Sequence, residues 1–154
     1  MVMDLFESLL QEFSKAVDIP NLKPDGNNSC LIALPKGPKI QLDIDPTNEF
    51  LIIGSEIGFI PAGRYRENIF KEALRANSLP APRYGDFAFS QKKDTLVLTA
   101  KIFLRDLTGE KIASHYTPFA EKAQHWWEAI QKGEVPSITG AFSTRKGGTG
   151  MFGL

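Results

Sequence analysis

The arrangement of the whole chain depends on one stretch, residues 61–79, which has the sequence PAGRYRENIFKEALRANSL. Its apolar residues recur at helical spacing, which predicts an amphipathic helix from Pro61 to Leu79. The apolar stripe covers roughly half of the helical wheel and consists of Ala62, Tyr65, Ile69, Ala73 and Ala76, extended by Phe70 and Leu74. Packing against one face of a sheet would cover only part of this apolar surface, so we expect the helix to contact a second copy of the chain as well. The alternative is a core helix that is covered on all sides.

Three strands are predicted before this middle helix: Cys30 to Leu34, Lys39 to Asp45, and Glu49 to Ser55. The second of them alternates strictly between apolar and polar residues, as in an antiparallel strand that has one face in water. Residues typical of turns separate the three strands, so we expect them to form a meander.

Two strands are predicted after the middle helix. Gly85 to Gln91 and Asp94 to Phe103 have the pattern of a hairpin, in which Phe87 and Phe89 share one face. The following segment, Leu107 to His115, is ambiguous between the regular structures.

Helices are also predicted near both ends. The first has Asp4 as its N-cap and apolar residues at helical spacing from Leu5 to Val17. The last begins with Thr117 as N-cap and Pro118 at the first helical position, and Gly133 closes it.

The predicted element order is α-β-β-β-α-β-β-α. Runs of strands without a helix between each pair indicate an antiparallel, twisted sheet of about five strands with three helices, which is an α+β fold. We expect residues 1–137 to form a single domain. Residues 138–154 are rich in glycine and lack periodicity, which predicts a flexible C-terminal tail.

The composition excludes several classes of function. The 18 basic and 18 acidic side chains cancel, which removes a general attraction to nucleic acid or to an anionic membrane. No stretch has the roughly 20 apolar residues of a membrane-spanning helix, and the N-terminus lacks the features of a signal peptide. Cys30 is the single cysteine and fits a reducing compartment. We therefore expect a cytoplasmic protein without membrane insertion or a nucleic-acid partner.

The residues that could carry chemistry all have a simpler interpretation. His115 and His125 lack the spacing of a metal-binding motif. Asp43 and Asp45 could form a carboxylate pair, but a solvated strand face explains them better. A thiol inside an apolar strand, such as that of Cys30, behaves as a small hydrophobic group. We therefore predict no catalytic residue, no metal site and no cofactor.

The element order and several local sequences resemble a known family. These sequences are Ile19-Pro20 after the first helix, a turn rich in Asn and Gly before Cys30-Leu31-Ile32, Leu74-Arg75-Ala76-Asn77 at the end of the middle helix, and Phe119 and Trp126 in the last helix. From about residue 3 to residue 133, the chain is similar to the class I chaperones of type III secretion, the CesT or Tir chaperone family. The Leu-x-Ala-Asn helix end is the most specific of these features. The neutral charge of the chain departs from the acidic character of that family.

The resemblance implies a small cytoplasmic bacterial homodimer that binds the N-terminal chaperone-binding segment of a secreted effector in extended form and keeps it soluble and ready for export. The ATPase of the secretion apparatus is a further candidate partner. The implied effector-binding residues lie on the first helix and the first strands: Leu5, Phe6, Leu9, Leu10, Phe13, Leu31, Ala33, Leu51 and Ile53. The implied dimer interface lies on the middle helix and the hairpin: Tyr65, Ile69, Phe70, Ala73, Leu74, Phe87 and Phe89.

Physical reasoning agrees with such a function. A disordered partner that adds to a sheet edge gains main-chain hydrogen bonds, and side-chain pockets select its sequence. The first helix has more apolar residues than a small domain can easily cover, so we expect an exposed binding patch that includes an outward-facing Leu9 or Phe13. The alternatives are a small cytoplasmic enzyme that uses His115, His125 or Asp43, and a regulatory interaction domain of similar shape.

Overall fold

The computed structural model describes the backbone of residues 2–137 and the side chains from residue 5 onward. The elements are helix α1 (Val2–Val17), strands β1 (Ser29–Ala33), β2 (Lys39–Ile44) and β3 (Phe50–Phe59), helix α2 (Arg64–Asn77), strands β4 (Asp86–Ser90) and β5 (Thr95–Phe103), and helix α3 (Gly109–Gln131). The predicted α+β fold and element order are confirmed. The predicted tail, residues 138–154, lies outside the described residues.

The five strands form one antiparallel sheet in the order β1-β2-β3-β5-β4, so that β1 and β4 are its edges. Cys30 pairs with Leu42, and Leu42 pairs with Ile53, which places these apolar side chains on one face. β3 continues beyond its predicted end to Phe59 after an irregularity in its pairing with β5. We call the face that carries Leu42 and Ile53 the inner face, and the opposite one the outer face.

The core lies between the inner face and the helices. Its largest fully buried side chains include Phe6 and Phe13 of α1, Ile40 of β2 and Phe119 of α3. Burying one such side chain contributes about 1.5–3 kcal/mol. α1 packs against α3, and their buried residues belong to the same apolar cluster as those of the sheet.

The start of α3 differs from the prediction. Thr108 is the N-cap, and its hydroxyl oxygen accepts a hydrogen bond from the Lys111 N–H at 3.2 Å. Thr117 as N-cap was therefore wrong, and Pro118 lies inside the helix. The helix continues through Pro118 because buried side chains on both sides of it, such as Ile112 and Phe119, hold the two halves in the core.

Two other helix boundaries were also wrong. α1 begins at Val2, so Asp4 lies within the helix instead of capping it. α2 is shorter than the predicted Pro61–Leu79. It begins after Gly63, whose φ of 140° lies in the region that favours glycine.

Candidate functional site

Most of the contact residues predicted on the first helix and the sheet are buried in the core of the chain itself. The exposed fraction is 0% for Phe6, Leu10, Phe13, Leu51 and Ile53, and 4% for Leu9. The expected outward orientation of Leu9 or Phe13 is therefore wrong. The physical reason is that α3 covers the part of the α1 stripe that the sheet does not cover.

The other three predicted contact residues lie at the surface. Leu5 is 44% and Leu31 54% exposed, and Ala33 is exposed as well. β1 alternates between buried and exposed positions, so Leu31 and Ala33 share the outer face. Leu51 and Ile53 point to the inner face. The predicted effector-binding residues of the sheet therefore came from both of its faces. Of these, only Leu31 and Ala33 lie together on the outer face.

The outer face contains a cavity of about 640 Å³. A Cβ atom at Gly54 would meet no atom within 4 Å, so the floor of the cavity is open at this position. Apolar parts of its lining come from Leu31, Ile52, Val97 and Trp127, and charged parts from Lys39, Asp43 and Glu56. This outer-face cavity can receive apolar side chains while leaving the backbone of a ligand near polar groups.

The edge strand β1 carries backbone groups that point away from the sheet. In an antiparallel strand, the N–H and C=O of one residue point to the same side, and successive residues alternate. The Ser29 C=O accepts from the Asp25 N–H at 2.7 Å, and the Ser29 N–H donates to Asp25 Oδ1 at 3.1 Å, so Ser29 faces away from β2. The backbone N–H and C=O groups of Leu31 and Ala33 therefore also point away from β2, and within residues 2–137 no strand lies on that side of β1.

A second apolar region lies at the other end of the sheet. Phe103 is 69% exposed and its ring lies 4.9 Å from that of Phe50, with the Lys101 ammonium group 4.9 Å from the Phe50 ring centre. Leu5 and Phe103 line a cavity of about 750 Å³ together with Arg105. The sequence pattern did not place these phenylalanines in a site. The available signal was Phe103 itself, which with Val97 interrupts the polar face of β5.

The residues predicted to form the dimer interface come together only in part. Phe70, Ala73 and Leu74 of α2 face Phe87 and Phe89 of β4 across a groove of about 170 Å³, which we call the α2–β4 groove. The rings of Phe70 and Phe89 are 4.9 Å apart, and Leu74 is 69% exposed at the rim.

The two remaining residues of that set lie elsewhere. Ile69 is completely buried in the core of its own chain. Tyr65 is half-buried, and its hydroxyl donates to the Glu134 C=O at 2.7 Å, in the segment that follows α3. Both residues hold α2 in place and do not line the α2–β4 groove.

Charged groups fix the start of β4. The Arg83 guanidinium donates to both oxygens of the Asp86 carboxylate, at 2.7 and 3.3 Å. These hydrogen bonds lower the pKa of Asp86 and raise the pKa of Arg83. Lys122 of α3 donates to the Gly85 C=O at 2.9 Å, and burial lowers the pKa of its ammonium group. The loop before β4 is thus held from both sides.

The aspartates and the cysteine considered for catalysis make contacts that stabilise the fold. Asp43 accepts hydrogen bonds from Ser29 and Gln41, while Asp45 stabilises the β2–β3 turn by accepting from Thr47 Oγ1 at 2.6 Å, which lowers the pKa of Asp45. Burial raises the pKa of the Cys30 thiol, which makes the reactive thiolate rarer.

Neither histidine belongs to a metal-binding group in the described part of the chain. His125 is exposed, and the half-buried His115 lies with its ring 6.1 Å from that of Tyr84. Across residues 2–137, no group of three or more His, Cys, Asp or Glu residues is arranged to hold a metal ion. In the same part of the chain, no helix combines the length and the apolarity needed to cross a bilayer.

Solved structures share this fold at low sequence identity. A chain of the HopA1–SchA chaperone–effector complex superimposes with a TM-score of 0.65 at 17% identity, over 82% of this chain and 96% of that one. The type III secretion chaperone SycH of Yersinia pestis, in complex with a fragment of YscM2, gives 0.59 at 19% identity, over 77% and 96%. The ExsC–ExsE complex gives 0.61 at 18% identity, over 82% and 93%.

No curated protein matches the sequence of this chain. The model of the Tir chaperone protein (CesT) family matches residues 8–127, which include all five strands and all but the ends of the outer helices. The chain therefore belongs to the Tir chaperone protein (CesT) family.

Proposed function

We propose that this chain is a type III secretion chaperone that binds a segment of a secreted effector in extended form and keeps it soluble and competent for export. The observation that carries this proposal is the open edge of β1, where outward-facing backbone groups lie beside the outer-face cavity. Family membership supports it. So does the nature of the matching structures, one of which is described as a chaperone–effector complex.

An extended segment that pairs with Leu31 and Ala33 would add a sixth strand to the sheet. Alternate side chains of such a strand point toward the outer face, where Leu31 offers an apolar contact on the side of the cavity nearest to the β1 edge. Backbone bonds provide affinity for many sequences, and the cavity favours apolar residues at every second position. This mode of binding requires no catalysis and no cofactor.

Of the nine predicted effector-binding residues, only the three with exposed side chains are kept in this proposal. We retain Leu31 and Ala33 as direct contacts, and Leu5 as a contact in the separate cavity that it lines together with Phe103. The buried residues of α1 and the inner face support the sheet from behind, because side chains with no exposed surface cannot touch a ligand without local unfolding.

A homodimer through the α2–β4 groove is the second part of the proposal. Leu74 at the rim and the half-buried rings of Phe70 and Phe89 leave apolar surface on one side of the molecule. A two-fold axis beside α2 would place the same patch of a second copy on it, which is the usual geometry of a homodimer. Effector binding on the outer face and self-association at α2–β4 then use different surfaces.

The proposed location and a further candidate partner follow from the chaperone assignment. Such a protein acts in the bacterial cytoplasm, where the effector is made, and the ATPase of the secretion apparatus is a candidate partner that would receive the complex. The family assignment does not favour an enzyme or a regulatory interaction domain.

The proposal is tested by purifying the chain from its native cells, identifying co-purified secreted proteins by mass spectrometry, and measuring the affinity of the N-terminal segment of the effector found. We expect Leu31→Glu to weaken binding at least tenfold, because it places a charge in the cavity lining. Leu79→Glu is the matched control, since Leu79 is similarly exposed (45%) but lines neither the outer-face cavity nor the α2–β4 groove. Equal loss in both variants, or no secreted partner, would contradict the proposal.

A further inference from the structure

The side chain of Asn77, the last residue of α2, is bonded to the backbone of β4. Its amide nitrogen donates to the Phe87 C=O at 2.9 Å, and its amide oxygen accepts from the Phe87 N–H at 2.8 Å. A residue of a neighbouring antiparallel strand makes this same pair of bonds. The amide of Asn77 therefore takes the place that another strand would occupy at Phe87.

These bonds also establish which way β4 faces. Since the backbone groups of Phe87 point to Asn77, those of Phe89 point to the same side, away from β5. The Gly85 C=O is bonded to the Lys122 ammonium group at 2.9 Å. Side chains of the chain itself thus bind the residue just before β4, Gly85, and the first outward position of β4, Phe87.

The two edges of the sheet differ in this respect. At β1 only Ser29 is bonded, through Asp25, and the successive outward positions Leu31 and Ala33 follow without a pairing strand in the described part of the chain. At β4 only Phe89 follows. Adding a strand requires several free outward residues in a row, because only every second residue of an edge strand offers its N–H and C=O to a new neighbour.

We propose that Asn77 closes the β4 edge to main-chain pairing, so that a second copy docks there through side chains and an extended effector segment is directed to β1. The second half of this statement rests on the proposed function, whereas the closure of the edge does not. Asn77 is a positioning residue that acts through the backbone of Phe87, and it also lines the α2–β4 groove in which the second copy docks.

Hydrogen exchange followed by NMR tests the closure without any effector. In Asn77→Ala the Phe87 amide should exchange about tenfold faster, since it loses its acceptor, while the Ala88 amide, which faces β5, keeps its rate. Asn77→Asp retains an acceptor oxygen and should leave the Phe87 rate nearly unchanged. An unchanged rate in Asn77→Ala, or equal acceleration in both variants, would overturn the proposal.

Association of the chain with itself provides the second readout. In Asn77→Ala the freed edge should form assemblies larger than those of the unmodified chain, and their proportion should rise with concentration in light scattering. Ser78→Ala is the control, because it removes a side-chain bond at the same helix end, to the Arg75 C=O at 2.7 Å, without freeing β4. Assemblies of unchanged size in Asn77→Ala would overturn the proposal even if no effector is ever found, and failure of effector binding would leave this result intact.

Discussion

Gly109, the first residue of α3, lies directly against Glu12 of α1. Its N–H donates to Glu12 Oε1 at 2.9 Å, and a Cβ atom at position 109 would lie 2.3 Å from the Glu12 Cβ and 2.4 Å from the Phe13 backbone nitrogen. No real Cβ contact is so short. The close approach of the two helices therefore requires a residue without a side chain at this point.

Gly109→Ala should accordingly lower the free energy of unfolding by about 1–3 kcal/mol, the usual range for added volume in a packed interface. Urea unfolding followed by circular dichroism measures this loss. Gly54→Ala is the matched control, because a Cβ there meets nothing within 4 Å, and it should be nearly neutral. Equal stability of the two variants would show that α1 and α3 can move apart.

Leu74→Glu should convert the dimer to a monomer while the chain stays folded, because Leu74 is 69% exposed at the rim of the α2–β4 groove. Light scattering at concentrations on the order of tens of micromolar is the measurement. Leu31→Glu, on the outer face, should leave the dimer intact. Ile69→Asp is unsuitable, since Ile69 is completely buried and the charge would unfold the chain. A monomeric unmodified chain would refute the interface.

Ala33→Pro should weaken binding of the effector segment about fivefold, because it removes one outward N–H and the net contribution of a hydrogen bond is about 1 kcal/mol. Proline is tolerated at an edge strand when the lost N–H faces away from the sheet, so the fold should persist. Ala33→Val keeps the N–H and should bind like the unmodified chain. Isothermal titration calorimetry compares the three, and equal affinities would exclude strand addition at this residue.

Tyr116 should make the stability of the fold sensitive to alkaline pH. Its hydroxyl is buried without a hydrogen-bond partner among the described residues, and burial, with a smaller effect of Cys30, raises its pKa to about 12. In the unfolded chain the Tyr116 hydroxyl ionises near pH ~10. As the pH rises, the unfolded state therefore loses this proton before the folded state does. Stability is therefore constant with respect to this group below pH ~10 and falls as the pH rises toward 12.

Tyr116→Phe should remove this part of the alkaline loss and leave stability at neutral pH unchanged or slightly higher, because no hydrogen bond is broken. The contact of the ring with Phe13, 5.0 Å between centroids, needs no hydroxyl. Urea unfolding at neutral pH and above pH ~10 tests this, with Tyr84→Phe as control. An identical alkaline loss in Tyr116→Phe would refute it.

The regular pattern of the strands made most of the fold predictable. Strict alternation placed β2 within one residue of its observed end, and apolar spacing located α1 and α2. The start of α3 was missed because Thr117-Pro118 is a strong local start signal. The contact of Gly109 with Glu12, between residues far apart in the chain, decides the boundary instead.

The candidate site was harder to predict because periodicity does not tell which apolar face is covered. The stripe of α1 suggested exposed residues, but α3 covers it, and this packing depends on where two distant helices meet. For β1 the two faces were equivalent in sequence, and Leu31 could not be distinguished from Ile32. The hydrogen bonds of the Asn77 side chain could not be predicted from the sequence either, because its partners are backbone atoms of Phe87, which every residue type possesses.

The pairing of α1 with α3 has a consequence for the synthesis of the chain. Glu12 and Gly109 are separated by 97 positions, so the ribosome releases α1 long before its partner helix exists. The apolar stripe of α1, with Phe6, Leu10 and Phe13, is therefore not fully covered on the nascent chain until α3 follows the five strands. Contacts between such distant segments form late and slow the folding of a domain. A product interrupted before α3 would therefore keep an apolar helix in water, and would itself need the protection of a general folding factor.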